Sequence, residues 1–222
     1  MQWNSFFLQV KKTFLLLQMK YSNNNTKSVE AEVHPLQPFL PHDGRILFLG
    51  SFPPPRERWS MEFFYPNWIN DFWRIIGLIH FGDKTYFESR DGNKQFDKER
   101  IMQFATAAGL AFYDTAVIVR RLRGNASDEH LEIVQPTDIG VLLQQMPSCC
   151  DIVTTGGKAS DTLYELLSSA LGKPVTQPGI GESTIIQAYS RMLRWWRMPS
   201  SSRAYPLKIE KKAEYYQRLF KK

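Results

Sequence analysis

The sequence predicts an α/β fold, a three-layer α/β/α sandwich around a mostly parallel sheet of roughly four strands. Residues 45–50 (RILFLG) form a largely apolar run that ends in glycine, which is typical of a strand buried on both faces of such a sheet. Further along the chain, apolar runs of strand length alternate with segments of helical periodicity, and this alternation favours βαβ units. The 222 residues are enough for one sizeable core and do not require two.

Four strands are expected from the apolar runs. The first strand is followed by Ser51, Phe52 and three prolines. Because proline cannot continue a central strand, the chain must leave the carboxyl edge of the sheet at this point. The strands are placed at 45–50, at 110–118, at 151–155 and within 184–198, where 184–186 and 195–198 are both candidates.

Five helices are expected between and after these strands. Apolar residues at helical spacing support the second helix, and Pro136 suits the first turn of the third. The helices are placed at 70–80, 97–108, from 136 or 137 to 145, 158–171 and 206–220. In the last helix the residues expected to face inward are Leu207, Ala213, Tyr216 and Phe220, while its lysines are expected to stay in water.

The chain is divided into an N-terminal extension, residues 1–33, and one domain, residues 34–222. Residues 21–33 are polar and are expected to be disordered or loosely packed. We interpret residues 1–18 as an upstream extension of the reading frame, with Met19 as the native start. The apolar residues among the first twenty are too few and too interrupted by lysine to span a membrane, and no small-residue cleavage site follows them.

The positive charge is concentrated near the C-terminus. The chain carries a formal net charge of +6, but residues 191–222 hold ten Lys and Arg against two Glu, so this segment contributes +8 and the rest of the chain −2. Such a basic segment is expected where a protein face meets a polyanion. The alternative is an ordinary lysine-rich terminal helix whose charges are simply solvated.

The cysteines and histidines argue against several kinds of site. Cys149 and Cys150 are adjacent and cannot join distant segments, which favours a reducing, cytoplasmic compartment. The four histidines show no metal-ligand spacing, and two thiols cannot hold an iron–sulfur cluster. We therefore expect no metal and no cofactor. We also expect a monomer with no membrane partner.

Three short motifs lie at positions that a parallel sheet brings to one edge. They are Gly50-Ser51-Phe52-Pro53 after the first strand, Asn70-Asp71-Phe72-Trp73 at the first helix, and Pro199-Ser200-Ser201-Ser202 after the last strand. In this order and spacing they resemble the uracil-DNA glycosylase superfamily, and they look most like its mismatch-specific and hypoxanthine-type branches. The resemblance covers roughly residues 38–220. Arg203 departs from the pattern, because a proline often follows the serine there.

The resemblance implies that Asn70 holds the hydrolytic water. Several branches hold this water with an acidic or amide side chain two residues after the first motif's glycine, but here that position is Phe52. The hypoxanthine-type branch uses the asparagine of the second motif, which corresponds to Asn70. An amide can orient water through both its acceptor and its donors. The alternative interpretation makes Asn70 merely the N-cap of its helix.

The resemblance also implies a pocket for an extruded base. The expected residues are Gly50, Ser51, Phe52, Pro53, Phe64, Tyr65 and Asp114. One of the three aromatic rings is expected to stack on the base, because base-handling enzymes take the nucleotide out of the duplex; aromatic runs of this kind are more often core. Backbone N–H groups at Ser51 and Phe52 would meet a base carbonyl. Asp114 would accept from a ring N–H, or would only cap a turn.

Two loops are expected to contact DNA phosphates. The first contains Pro199, Ser200, Ser201, Ser202 and Arg203, whose hydroxyl, N–H and guanidinium groups suit phosphate oxygens. The second is the turn that contains Gly156 and Lys158, where a phosphate would lie at a helix N-terminus. The alternative for the second loop is an ordinary strand-to-helix turn.

Together these expectations describe a monofunctional DNA glycosylase that removes a deaminated base, uracil or hypoxanthine, in base excision repair. The main rival is a nucleic-acid-binding protein that kept the fold without the chemistry, and Phe52 at the usual water-holding position favours this rival. A more distant rival is a small-molecule enzyme or nucleotide-binding module that uses the turn at residues 156–158.

Overall fold

The computed structural model describes residues 29–123 and 130–221. The strands are β1 (Ala31–Val33), β2 (Ile46–Gly50), β3 (Leu110–Asp114), β4 (Ala116–Arg121), β5 (Leu131–Pro136), β6 (Asp151–Thr155), β7 (Glu182–Ala188) and β8 (Arg191–Met198). The helices are α1 (Phe72–Phe81), α2 (Lys98–Ala108), α3 (Ile139–Gln144), α4 (Gly157–Leu171) and α5 (Ile209–Phe220), with a 3₁₀ turn at Arg56–Arg58. The predictions for residues 1–18, for Met19 and for the polar stretch up to residue 28 lie outside the described residues.

Within the described part of the chain there are two sheets. The larger has the order β3-β2-β6-β8-β7, in which the first four strands are parallel neighbours and β7 pairs antiparallel with β8. The smaller is antiparallel, with the order β1-β4-β5. The prediction of a single, mostly parallel sheet of roughly four strands is therefore wrong, because the larger sheet has five strands and is mixed, and a second sheet is present.

Helical segments contact both faces of the larger sheet. On one face the rings of Phe48 and Phe112 stack with centroids 5.4 Å apart, and Phe72 of α1 packs edge-on against Phe48 at 5.3 Å. α1 also packs against α5. Because side chains alternate along a strand, Ala111 belongs to the opposite face. There it belongs to the same buried cluster as Met146, just after α3, and both side chains lie close to Gly44.

The predicted strand 110–118 is two strands that belong to different sheets. Thr115 separates them: its N–H donates to the carbonyl of Gly50 at 2.8 Å, and its carbonyl accepts from the Thr137 N–H at 2.9 Å. The chain passes from the larger to the smaller sheet at this residue. β1 and β5, the partners of β4, were not predicted, because β1 is only three residues long and both are largely half-exposed. β1 lies within the segment predicted as an N-terminal extension.

Both candidate strands within 184–198 exist, as the hairpin of β7 and β8. Tyr189 and Ser190 form its turn with φ angles of 52° and 61°, the left-handed backbone that suits a two-residue hairpin. The third helix begins later than predicted, because Pro136 ends β5 and Asp138 caps α3 through its side chain.

A buried ion pair joins α1, α5 and the loop after β8. Lys212 of α5 is 0 % exposed, so the prediction that the lysines of this helix stay in water is wrong for Lys212. Its Nζ donates to Asp71 Oδ2 at 3.1 Å and to the carbonyl of Ser202 at 2.7 Å. Arg203 Nε donates to the other oxygen of Asp71 at 2.9 Å. The carboxylate is thus paired and hydrogen-bonded, as a buried charge must be.

We expect Lys212→Ala to destabilise the fold by about 3 kcal/mol, because removal of one partner leaves a buried charge undercompensated. Urea unfolding at constant ionic strength measures the change. Lys211→Ala is the matched control: that lysine is exposed and pairs only with Glu214 on its own helix, so the midpoint should not move. A loss below about 1 kcal/mol in Lys212→Ala would mean that Arg203 alone satisfies Asp71.

Candidate active site

A cleft of about 680 Å³ lies at the carboxyl ends of the parallel strands. Its lining comes from the last residues of β3 and β6, from the segments after β1, β2 and β8, and from the segment that leads into α1. Open α/β sheets bind ligands at this edge, and ligand pockets typically measure about 300–1,000 Å³. The predicted site residues that line the cleft are Gly50, Ser51, Phe52, Pro53, Phe64, Tyr65, Asn70, Asp114, Ser200, Ser201, Ser202 and Arg203.

Asn70 lies just before α1. Its Oδ1 accepts from the Phe72 N–H at 2.9 Å, an Asx turn that satisfies one of the free donors at the helix start. The N-cap of α1 is Asp71, so Asn70 lies one residue before the cap position that the alternative interpretation gave it. Its bond to Phe72 still serves the start of the same helix and fixes the orientation of the amide. Among the described residues no other group hydrogen-bonds this amide, so its Nδ2 donors and the second lone pair of Oδ1 are open to a ligand or water.

Phe52 is half-buried and is held by the smaller sheet. The ring of His34 lies edge-on to it at 5.2 Å, and the guanidinium of Arg121 lies 5.5 Å from its centroid. Arg121 also donates to the carbonyl of Pro53 at 2.6 Å. The loop of residues 53–55, called the proline loop below, therefore has a fixed position at the cleft. The Phe52 N–H makes no hydrogen bond to any other described residue, which leaves it available to a base carbonyl.

Asp114 ends β3, and its side chain is only 10 % exposed. Its Oδ2 lies 2.8 Å from Nε2 of His34. Gly50 on the neighbouring strand leaves room for the carboxylate, because a Cβ at that position would collide with Asp114 Oδ1. No described residue hydrogen-bonds Oδ1.

Phe64 and Tyr65 differ in what they can offer a base. Phe64 is 4 % exposed and stacks on Phe112, so its ring belongs chiefly to the core. Tyr65 stacks on Phe72 at 3.8 Å and is hydrogen-bonded to Thr155 Oγ1 at 2.8 Å, which leaves only its other face for a base. Burial raises the pKa of the Tyr65 phenol well above its usual value, so the hydroxyl stays neutral. Its φ of 53° is unusual for a bulky residue and marks local backbone strain at the cleft.

The loop after β8 is fixed by two helices. The N–H of Asp71, next to α1, donates to the carbonyl of Ser201 at 2.9 Å. The hydroxyl of Tyr216, on α5, donates to the carbonyl of Pro199 at 2.9 Å. The hydroxyl groups predicted to contact phosphates therefore belong to a loop that is anchored at both of these points.

Three predicted DNA-contacting residues are not part of the cleft lining: Pro199, Gly156 and Lys158. Pro199 is buried and lies in the loop after β8 without contributing to the cleft lining. Gly156 lies next to Ser200 and has a φ of 110°, a backbone conformation that requires glycine. Lys158 is half-exposed in the first turn of α4.

Sequence reasoning missed four residues at or beneath the cleft: His34, Arg58, Asp71 and Lys212. Arg58 is exposed and lines the cleft from the 3₁₀ turn. Lys212 precedes Tyr216 by four residues and so lies on the same helix face, a signal that could have indicated a buried lysine. The isolated His34 offered no comparable signal, because its partner is 80 residues away.

The basic C-terminal segment does not form one surface at the cleft. Lys211 pairs with Glu214 at 2.8 Å, and Arg218 donates to the carbonyl of Gly181 at 3.1 Å. Among the described basic residues from position 191 onward, Arg203 is the one that lines the cleft, and its side chain is 46 % exposed. The positive charge at the cleft mouth therefore comes from Arg203 and Arg58.

Residues 29–123 and 130–221 contain neither a candidate metal site nor a candidate membrane span. No group of three or more His, Cys, Asp or Glu side chains there is arranged to hold a metal ion. In the same ranges, no helix has the length and apolar character needed to cross a membrane.

Comparison with known proteins supports the fold. No family model and no curated protein matches the chain. Among solved structures, the chain is similar to the solution NMR structure of a "putative uracil DNA glycosylase" from Methanosarcina acetivorans. The TM-score is 0.54 and the identity 21%, over 83% of this chain and 95% of that one. At this identity the similarity shows a common fold, and the predicted uracil-DNA glycosylase-like fold is confirmed at that level.

Proposed function

We propose that this chain is a DNA glycosylase that hydrolyses the N-glycosidic bond of a deaminated base, of the uracil or hypoxanthine class, in base excision repair. One observation carries the proposal. Three motifs that are far apart in sequence contribute Gly50, Asn70 and residues 200–203 to one cleft, and Asp114 lies in the same cleft. The mismatch-specific and hypoxanthine-type branches remain the expected relatives.

The cleft offers complementary groups to a flipped base. Extrusion of a nucleotide from the duplex costs a few kcal/mol, and contacts between the base and its pocket must offset this cost. The Phe52 N–H can donate to a base carbonyl, and Asp114 Oδ1 can accept from a ring N–H. Tyr65 lines the cleft, and the face of its ring that Phe72 does not cover can stack on the base.

Asn70 supplies the group that positions water. The water oxygen bonds to the sugar C1′ as the C1′–N bond breaks, and a water proton passes to the departing base. Positive charge develops on the sugar and negative charge on the base, so fixed dipoles accelerate the step. The Asx turn to Phe72 holds the Asn70 amide in one orientation, which is the preorganisation that such a step requires.

Water, rather than an amine, is the proposed nucleophile. A glycosylase that also cleaves the strand would use an amine that forms a Schiff base with the sugar. The described residues that line the cleft include Arg58 and Arg203 but no lysine. Lys212 is buried next to the loop after β8, and its ammonium group is hydrogen-bonded to Asp71 and to the carbonyl of Ser202. This lining supports a monofunctional enzyme.

The rival function is nucleic-acid binding without catalysis. Phe52 favours it, because a ring packed against His34 and Arg121 cannot hold water at the position that several branches of the family use. Single-turnover base release separates the two functions, with oligonucleotides that each contain one uracil, hypoxanthine, xanthine or mismatched thymine. We expect release of uracil or hypoxanthine. DNA binding without release from any substrate would support the rival instead.

We expect Asn70→Ala to lower the single-turnover rate of base release by about a hundredfold or more, because the water loses its holder. The same variant should lose about 1 kcal/mol of stability, because the Asx turn to Phe72 is lost. Asn70→Ser is the matched control: a hydroxyl can keep the local bond but is too short to hold the same water. It should melt near the wild-type temperature and still be slow. If both variants released the base at near-wild-type rates, the role of Asn70 would be structural only.

We expect Arg58→Ala and Arg203→Ala each to flatten the dependence of log affinity on log salt by about 0.9, the slope for one phosphate contact. Fluorescence anisotropy with duplex DNA across a salt series measures these slopes. Arg90→Ala, which removes an exposed arginine outside the cleft lining, controls for net charge. A slope that is unchanged in Arg203→Ala, with the fold intact, would remove Arg203 from the DNA interface.

A further inference from the structure

We propose that His34 is a positioning residue for base recognition: it holds Asp114 so that Oδ1 faces the flipped base as a fixed acceptor. The role rests on the proposed function, since it concerns the same cleft, and it adds the group that decides which bases fit. A base with a ring N–H at that position would be accepted. A base with a lone pair there would be rejected.

The ring of His34 is held in one place. Its side chain is 0 % exposed, and the rings of Tyr113 and Phe52 lie 4.6 and 5.2 Å away. The His34 N–H donates to the carbonyl of Val117 at 2.8 Å, which continues the pairing of β1 with β4. The smaller sheet thus carries this imidazole underneath the wall of the cleft.

The carboxylate of Asp114 places a proton on Nε2 of the imidazole. Nδ1 lies 2.9 Å from the carbonyl of Leu36 and 3.2 Å from its N–H, so it has a partner whether it donates or accepts. Nε2 lies 2.8 Å from Asp114 Oδ2. An ionised carboxylate only accepts hydrogen bonds, so Nε2 is the donor in this pair.

The bond to His34 leaves one oxygen of Asp114 for a ligand. Oδ2 is occupied, and Oδ1 has no hydrogen-bond partner among the described residues. Gly50 leaves the space that Oδ1 needs, because any Cβ there would collide with it. The carboxylate cannot turn away without losing the His34 bond, so Oδ1 remains an acceptor in the cleft. Asp114 lines the cleft and His34 does not, which distinguishes the contacting residue from the positioning one.

A fixed acceptor is matched to the chemistry of deamination. Cytosine presents a lone pair at N3 and adenine presents one at N1, whereas uracil and hypoxanthine carry a proton at the same ring nitrogens. Placing a lone pair against a buried acceptor leaves that acceptor unsatisfied, and a lost hydrogen bond of this kind changes affinity by about tenfold or more. The geometry therefore favours the deaminated base over its parent.

Two near-isosteric substitutions test the role of His34. His34→Gln retains an N–H donor for Asp114, whereas His34→Met fills similar space without one. Their binding is measured on duplexes with one 2′-fluoro nucleotide, which resists hydrolysis, carrying uracil or 3-deazauracil and, in a second pair, hypoxanthine or 1-deazahypoxanthine. Each deaza base replaces the ring N–H by C–H. His42→Ala, an exposed histidine with a 91 % exposed side chain, is the matched control.

We expect wild type and His42→Ala to prefer the N–H base of at least one pair by about tenfold or more, and His34→Gln to keep most of that preference. In His34→Met the preference should fall below about twofold. An undiminished preference in His34→Met, or none in wild type for either pair, would overturn the role of His34. If neither variant folds, ¹⁵N spectra of the wild-type imidazole decide: a ring without a proton on Nε2 would overturn it.

Base release by wild type from the matching 2′-deoxy substrates is measured in parallel. Binding that discriminates as expected, without base release, would overturn the proposed hydrolysis while supporting the role of His34. Release without discrimination in binding would overturn the role of His34 while supporting hydrolysis. The two proposals therefore fail on different observations.

Discussion

The buried pair of Asp71 and Lys212 is the constraint on which the rest of the site depends. A carboxylate and an ammonium inside a protein are costly to desolvate, and they persist only where both are fully hydrogen-bonded. Here the ammonium also bonds the carbonyl of Ser202, and the carboxylate also accepts from Arg203. Because these four groups come from α1, α5 and the loop after β8, any sliding of one element would leave a buried charge unpaired. The pair therefore fixes the relative position of three elements.

The position of Asp71 in the chain connects this constraint to the site. It directly follows Asn70, and its N–H donates to the carbonyl of Ser201. The start of α1 is therefore fastened to the loop by a side chain and by the backbone. Asn70 and the hydroxyls of the loop then have one relative geometry, which is what a site built from distant segments needs.

The smaller sheet has a comparable role on the other wall of the cleft. β4 adds Val117 and Ile118 to the main core. The same sheet also brings His34 to Asp114 and Arg121 to the carbonyl of Pro53. Thr115 makes this possible, because the parallel strand β3 ends just before it and the chain continues just after it as β4 of the smaller sheet. The larger sheet creates the edge where a ligand can bind, and the smaller sheet orients the polar groups at that edge.

The contrast between the two sheets explains what the sequence could predict. Residues 46–49 are a continuous apolar run and residues 152–155 are all β-branched, so both strands were located within one residue. The motif at residues 50–53, which follows the first of them, was placed at the correct edge. β1 and β5 lack that pattern because each is largely half-exposed. The pairings of His34 with Asp114 and of Lys212 with Asp71 span 80 and 141 residues, and a single sequence has no local signal for contacts at such separations.

The two interpretations of Asn70 are not exclusive in this structure. The bond from the Phe72 N–H to Oδ1 satisfies the helix start, and it also removes the rotational freedom that an exposed amide would otherwise have. An amide that had to be ordered during the reaction would stabilise the transition state less, because part of its interaction energy would offset lost entropy. The local bond and the proposed catalytic role therefore support each other. The same logic applies to Asp114: the contact that satisfies its buried oxygen also orients the oxygen left for the ligand.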